Sequence, residues 1–76
     1  MLPKEFKKYF WDCKFEELEW DNYKVFITER LLNFGDMDAV KWLKTRLSGN
    51  EILEIVNTSR NIDAKTRNFW NIIYAG

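Results

Sequence analysis

The side chains that could carry out chemistry in this sequence are almost entirely carboxylates. The chain contains no histidine and a single cysteine, Cys13. The most common general base and the most common transition-metal ligand are therefore missing, and the thiol has no histidine to activate it. The three glycines are not clustered, so the sequence predicts no phosphate-binding loop. We therefore expect no zinc or other metal site and no cofactor.

Two groups of acidic residues remain as candidates for metal binding or acid–base catalysis, and each has a simpler explanation. Asp36 and Asp38 stand at the expected start of a helix, where the helix dipole stabilises negative charge. Glu16, Glu17 and Glu19 are expected to form a solvent-facing cluster. We therefore predict that the protein is not an enzyme and that it takes no small-molecule substrate.

Residues 11–21 combine large aromatic side chains with five acidic residues and one lysine, a net charge of −4. Aromatic anchors beside charged groups are typical of protein interfaces, where tryptophan contributes much of the binding energy. The alternative is that the aromatic rings belong to the core and the acids merely face solvent. The predicted partner-interface residues are Trp11, Asp12, Glu16, Glu17, Glu19 and Trp20.

The stretch SRNIDAKTRNFW, near the end of the chain, has the outline of a helix-turn-helix. A DNA-binding motif of this kind needs a small residue in the first helix, a glycine in the turn and apolar residues that seat the second helix. The sequence departs from that pattern at Ile55, Ser59, Lys65 and Asn68. Residues 41–76 nevertheless carry six basic and three acidic residues, a net charge of +3, which could contact phosphates. The predicted nucleic-acid residues are Arg60, Lys65 and Arg67, and the alternative is ordinary solubilising charge.

The elements that must position these residues are helices. Apolar residues recur at three- and four-residue intervals, and the β-branched residues do not alternate as they would in strands. The spacing predicts a short helix from Pro3 to Tyr9. A longer helix is expected to begin after Asp21 as its N-cap and to end at Gly35 in the left-handed conformation.

The later helices are predicted from their capping residues. Asp36 is expected to begin one helix, which Gly49 closes. Asn50 is expected to cap the next helix, and Asp63 the last one.

The last helix is expected to contribute Phe69, Trp70 and Ile73 to the core, while Arg60 covers the C-terminal end of the preceding helix. Together these elements predict an all-α fold, a compact bundle of four to five short helices. Its C-terminal pair resembles a helix-turn-helix in outline. Residues 1–76 are expected to form a single small helical domain.

Composition also bears on the binding partners and the cellular location of the protein. Six phenylalanines, four tryptophans and three tyrosines are more than we expect so small a core to enclose, so some should face a partner or a second copy.

Twelve basic and twelve acidic residues cancel, which argues against strong non-specific attraction to nucleic acid or membranes. One cysteine cannot form an internal disulfide, no apolar run approaches the ~20 residues of a membrane helix, and no signal peptide is evident. A cytoplasmic protein is predicted.

Three stretches of the sequence resemble one protein family. They are LPKEFKKYFWD at residues 2–12, FITERLLNFGDMDAVKWL at 26–43 and SRNIDAKTRNFW at 59–70. In this order and spacing the chain is similar to a family of small uncharacterised bacterial and archaeal proteins of about the same length. The resemblance implies no assigned activity and no established functional residues. It implies an antitoxin or accessory role, because members are often encoded beside nucleotidyltransferase-like proteins of the abortive-infection toxin type.

Three functions follow as expectations. The first is a non-catalytic protein-binding module, an antitoxin or accessory partner of a nucleotidyltransferase-like protein, which uses the acidic and aromatic segment. The second is a DNA-binding autoregulator that uses the last two helices. The third is a homodimeric helical domain whose exposed aromatic side chains pair between two copies.

Overall fold

Helices make up all the regular secondary structure in the described part of the chain. A computed structural model describes residues 2–75, with side chains for residues 2–73. Two 3-10 helices, Lys4–Tyr9 and Phe15–Glu17, precede four α-helices. These are α1 (Trp20–Phe34), α2 (Met37–Arg46), α3 (Gly49–Thr58) and α4 (Ala64–Ala75). The predicted all-α class is confirmed. None of these helices, within residues 2–75, is long and apolar enough to span a membrane.

The N-terminal segment supplies aromatic rings to the core. Its first 3-10 helix ends where the backbone N–H of Phe10 donates to the carbonyl of Lys7, at 3.0 Å. This helix packs against α1, so that its apolar side chains are enclosed. The short helix predicted from Pro3 to Tyr9 is therefore present, in 3-10 form. The buried residues of this segment are Leu2, Phe6, Tyr9, Phe10, Phe15 and Leu18.

The centre of the core lies between α1, α2 and α3. Ile27 and Leu31 of α1 are fully buried, as are Leu43 of α2 and Ile52 and Val56 of α3. Helix α1 packs against both α2 and α3, whereas α4 packs chiefly against α3. The core is thus built around α1, and α4 covers one side of it.

Two of the predicted caps are confirmed. The carboxylate of Asp36 accepts hydrogen bonds from the backbone N–H groups of Asp38 and Ala39, at 3.1 and 3.2 Å, and begins α2. The carboxylate of Asp63 accepts from the N–H of Thr66 at 2.7 Å and begins α4. These bonds satisfy N–H groups that have no partner within the first helical turn.

Two other caps were predicted wrongly. The N-cap of α3 is Ser48, not Asn50: Ser48 and Glu51 form a reciprocal capping box, so Gly49 begins α3 and does not close α2. Glu19 is the N-cap of α1, and its carbonyl accepts from the N–H groups of Asn22 and Tyr23, both at 3.1 Å. Asp21 therefore lies inside the first turn of α1.

The prediction for Gly35 was also wrong in its reason. Gly35 does end α1, but its φ of −78° and ψ of 165° describe an extended backbone and not a left-handed one. A Cβ atom at this position would lie 2.4 Å from the carbonyl oxygen of Leu31 and 2.6 Å from the Cβ of Ala39. Glycine is therefore needed here because the start of α2 crosses so closely over the end of α1.

The last helix contributes less to the core than its pattern predicts. Trp70 is buried, but Phe69 and Ile73 are exposed, so the expectation that all three are core residues is wrong for two of them. Since α4 packs chiefly against α3, only a narrow strip of its surface is covered. The apolar residues beside that strip remain at the protein surface.

Candidate functional site

Asp12 and Arg30 form a bidentate ion pair between the N-terminal segment and α1. Nη1 and Nη2 of Arg30 each donate to one carboxylate oxygen of Asp12 at 2.7 Å, and Nη1 also donates to the carbonyl of Tyr9 at 3.1 Å. These hydrogen bonds from Arg30 are the chief reason that the pKa of Asp12 lies well below its usual range. They also raise the pKa of Arg30. The pair fastens the N-terminal segment across the middle of α1.

The guanidinium of Arg30 is also packed against aromatic rings. It lies 5.0 Å from the ring centroid of Trp11 and 5.0 Å from that of Phe26. The ring of Trp11 meets that of Phe34 edge to face, with centroids 5.3 Å apart and planes 77° apart. Arg30 therefore holds Trp11 in place, although two-thirds of the surface of Trp11 stays exposed.

A second network joins α1 to the loop that follows α3. The carboxylate of Glu29, which is only 8% exposed, accepts a hydrogen bond from the hydroxyl of Ser59 and contacts Nδ2 of Asn61 at 3.4 Å. Asn33, one turn further along α1, donates to the carbonyl of Asn61 at 2.6 Å and accepts from the N–H of Asp63 at 3.1 Å. The loop is thereby fixed to α1 at four of its polar groups.

These two networks border an open pocket of about 350 Å³. Its walls combine aromatic rings with one carboxylate, one guanidinium and two amides. The lining residues are Trp11, Phe26, Glu29, Arg30, Asn33, Phe34 and Asn61. We call this the Glu29 pocket.

A larger groove of about 550 Å³ lies beside the Glu29 pocket, and Asn33 borders both. The groove runs between the start of α2 and the start of α4, and it is bordered by Asp36, Asp63 and Lys65. Large apolar side chains stand exposed around the pocket and the groove. They form what we call the apolar face: Trp11 (66% exposed), Phe34 (53%), Met37 (65%) and Phe69 (54%).

The predicted partner-interface residues do not form one surface. Trp11 lines the Glu29 pocket and Asp12 pairs with Arg30 beside it. Trp20 instead is half-buried and packs edge to face on Trp42, with centroids 5.4 Å apart. The reason is that the backbone of residues 13–19 turns inward to bury Phe15.

The three predicted glutamates lie along that intervening segment. Glu16 pairs with Lys7 at 3.4 Å, and its pKa is lowered chiefly by a hydrogen bond from its own backbone N–H and then by Lys7. Glu17 borders a separate pocket with Tyr23. Glu19 is exposed at the position before α1.

Of the predicted nucleic-acid residues, Arg67 has an internal role. Its Nε donates to the carbonyl of Val56 at 3.1 Å, and its Nη2 donates to the carbonyls of Ser59 at 3.0 Å and Ile62 at 3.4 Å. Arg67 therefore covers the C-terminal end of α3, the role that the sequence suggested for Arg60.

Arg60 and Lys65 are exposed. DNA binding through these two residues stays a prediction.

The residues that the sequence analysis missed are those of α1. Glu29, Arg30, Asn33 and Phe34 lie on consecutive turns of that helix and border the pocket together. Polar residues at positions 29, 30 and 33, among the apolar residues of the second half of α1, were the available signal. Within residues 2–73, no three acidic or cysteine side chains are grouped closely enough to hold a metal ion.

A protein-family model matches most of the chain. The model of a family of unknown function, DUF6922, matches residues 5–56, which run from the first 3-10 helix through α1 and α2 to Val56 in α3. No curated protein and no solved structure matches the chain.

Proposed function

The chain belongs to this family of unknown function, and we propose that it acts as a non-catalytic module that binds another protein through the apolar face. The observation that carries the proposal is the exposure of Trp11, Phe34, Met37 and Phe69 around two adjoining concave sites. Large exposed apolar groups that gather around grooves are characteristic of interaction surfaces.

The residue composition of the apolar face is typical of the centre of a protein–protein interface. Trp11 is held in a fixed orientation by Arg30 and Phe34, so little side-chain entropy is lost when a partner covers it. Aromatic side chains of this kind tend to dominate binding energies. The Glu29 pocket and the groove can receive side chains from the partner, and the polar groups at their edges can fix its orientation.

The resemblance noted from the sequence suggests the partner. We propose that it is a nucleotidyltransferase-like protein encoded beside this chain in a bacterial or archaeal genome, and that binding is antitoxin-like or accessory. The two proteins would meet in the cytoplasm, a setting in keeping with the unpaired Cys13. Binding would act sterically, since the proposal assigns no chemistry to the chain itself.

Co-expression of the two neighbouring genes tests the proposal. With an affinity tag on the nucleotidyltransferase-like protein, we expect the untagged chain to co-purify and to relieve any growth defect. Trp11→Ala and Phe34→Ala each remove an exposed anchor and should reduce co-purification at least about tenfold, which corresponds to about 1.4 kcal/mol.

Val25→Ala is the matched control. Val25 is 50% exposed and lies nine residues before Phe34, which places it on the opposite side of α1. The Val25→Ala variant should co-purify like the wild type.

Failure of the two wild-type proteins to co-purify, together with a neighbour that is harmless alone, would contradict the proposed partner. Sedimentation of the chain alone tests the remaining alternative, a homodimer. A dimer that Trp11→Ala converts to a monomer would show that the apolar face pairs with a second copy.

A further inference from the structure

The Glu29 pocket contains a carboxylate whose charge is not matched by the groups that hold it. Among the described side chains, the hydroxyl of Ser59 and the amide of Asn61 donate to Glu29, and both donors are neutral. The other charge at the pocket, Arg30, is matched by its bidentate pair with Asp12. The pocket as a whole therefore carries one net negative charge at its polar end.

Aromatic rings form the other walls of the pocket. Trp11, Phe26 and Phe34 all line it, and the ring of Trp11 is mostly open to solvent. Aromatic faces beside a carboxylate attract an organic cation, because the ring faces are electron-rich and the carboxylate supplies a full opposite charge. The site thus has two independent features that favour the same class of ligand.

We propose that the Glu29 pocket receives an arginine side chain of the partner protein. A guanidinium group is flat and can lie against Trp11 while it donates to the carboxylate of Glu29, which an ammonium group cannot do with the same geometry. The protein already packs a guanidinium against this ring: Arg30 lies 5.0 Å from the centroid of Trp11. The volume of about 350 Å³ accommodates one long side chain. This inference rests on the proposed function and specifies the anchor that the partner contributes.

Titration with a short peptide, followed by nuclear magnetic resonance, tests the inference without the partner. The probe is acetyl-Gly-Arg-Gly-amide, and the control probe carries citrulline, the neutral isostere, in place of arginine. We expect the arginine peptide to shift the indole N–H signal of Trp11 and the side-chain amide signals of Asn33 and Asn61. The curves should saturate at millimolar concentration and weaken as salt is added. The citrulline peptide should leave the three signals in place.

Two variants test the carboxylate and the aromatic ring separately. Glu29→Gln removes the charge, and Trp11→Ala removes an exposed ring without touching the core; each should weaken binding of the arginine peptide about tenfold or more. Glu54→Gln removes one exposed carboxylate of α3, outside the pocket, and should bind the peptide as the wild type does. Should Glu29→Gln fail to fold, Trp11→Ala still decides the outcome.

The inference is overturned if the arginine and citrulline peptides give equal shifts, or if neither gives a saturable shift. It is also overturned if free agmatine binds and the arginine peptide does not, because the pocket would then take a small molecule. These results leave the proposed function standing as long as Trp11→Ala and Phe34→Ala still reduce co-purification about tenfold or more. If the wild-type pair fails to co-purify but the arginine peptide still binds specifically, only the proposed partner is contradicted.

Discussion

Asp12 and Arg30 are separated by eighteen positions in the sequence and joined by two hydrogen bonds of 2.7 Å. The side chain of Arg30 is mostly covered, whereas that of Asp12 is half exposed. This pair adds a polar connection to the apolar packing of the N-terminal segment on α1, and the same guanidinium positions Trp11. The geometry of the Glu29 pocket therefore depends on this interaction.

Asp12→Asn should change how stability depends on acidity. The folded-state pKa of Asp12 is lowered by Arg30, so its contribution is present above the unfolded-state pKa and is lost as the pH falls through that value towards the folded one. We expect the wild type to be more stable than Asp12→Asn at pH 7, and the difference to shrink between about pH 5 and pH 2. Urea midpoints at a series of pH values measure this. A difference that stays constant with pH would contradict the expectation.

Thr28→Val should stabilise the protein. The hydroxyl of Thr28 is fully buried and, among the side chains and backbone described for residues 2–73, has no hydrogen-bond partner, so the wild type bears the cost of desolvating it. Valine has the same branched shape and no hydroxyl, and we expect a gain of about 1 kcal/mol in the free energy of unfolding. Thr58→Val is the matched control, because the hydroxyl of Thr58 is exposed and donates to the carbonyl of Glu54 at 2.8 Å. It should give no gain.

Gly35→Ala should destabilise the protein although the backbone at this position is one that alanine adopts freely. The new Cβ would overlap the carbonyl oxygen of Leu31 and the Cβ of Ala39, and α1 and α2 would have to move apart. We expect a loss of about 1–3 kcal/mol by urea unfolding. Gly49→Ala, at the first residue of α3, should be neutral or slightly stabilising. Equal effects at the two glycines would show that close packing is not the cause.

Arg67→Met should cost about 2 kcal/mol, because three backbone carbonyls at the end of α3 and in the following loop lose a charged donor. Arg60→Met removes an exposed cation of the same length and should change stability by less than about 0.5 kcal/mol. Thermal unfolding of both variants, followed by circular dichroism, makes the comparison. If the two variants were equally stable, Arg67 would not have the internal role described.

The sequence predicted those features of the fold that depend on neighbouring residues. The caps at Asp36 and Asp63 are local, and each can be recognised from the residue and the helical pattern that follows it. The role of Gly35 was misjudged because the need for glycine comes from a crossing with Ala39 and not from its own dihedral angles. Periodicity could not separate Phe69 from Trp70, because the docking of α4 on α3 decides which of two adjacent rings is covered.

The candidate site was harder to predict from the sequence, because its interacting residues meet only in the folded chain. Nothing near Asp12 indicates that Arg30 will neutralise it, and nothing near Glu29 indicates that Ser59 will donate to it. Trp11 was predicted to be an interface residue from its type and neighbours; its ring is exposed on the apolar face, and its role in binding stays a prediction. Its companion Phe34 lies three residues after the buried Leu31, a spacing that fits the core, so periodicity alone could not predict that Phe34 is exposed.

The three hydrogen bonds of Arg67 also have a consequence for the way the molecule opens. They tie the end of α3, the loop and α4 to one another, while Glu29 and Asn33 tie the loop to α1. Residues 56–70 should therefore behave as one cooperative unit in hydrogen exchange, with amide protons that become accessible together. In Arg67→Met, the amides of α4 should exchange earlier than those of α1, because the unit has lost the side chain that couples its parts.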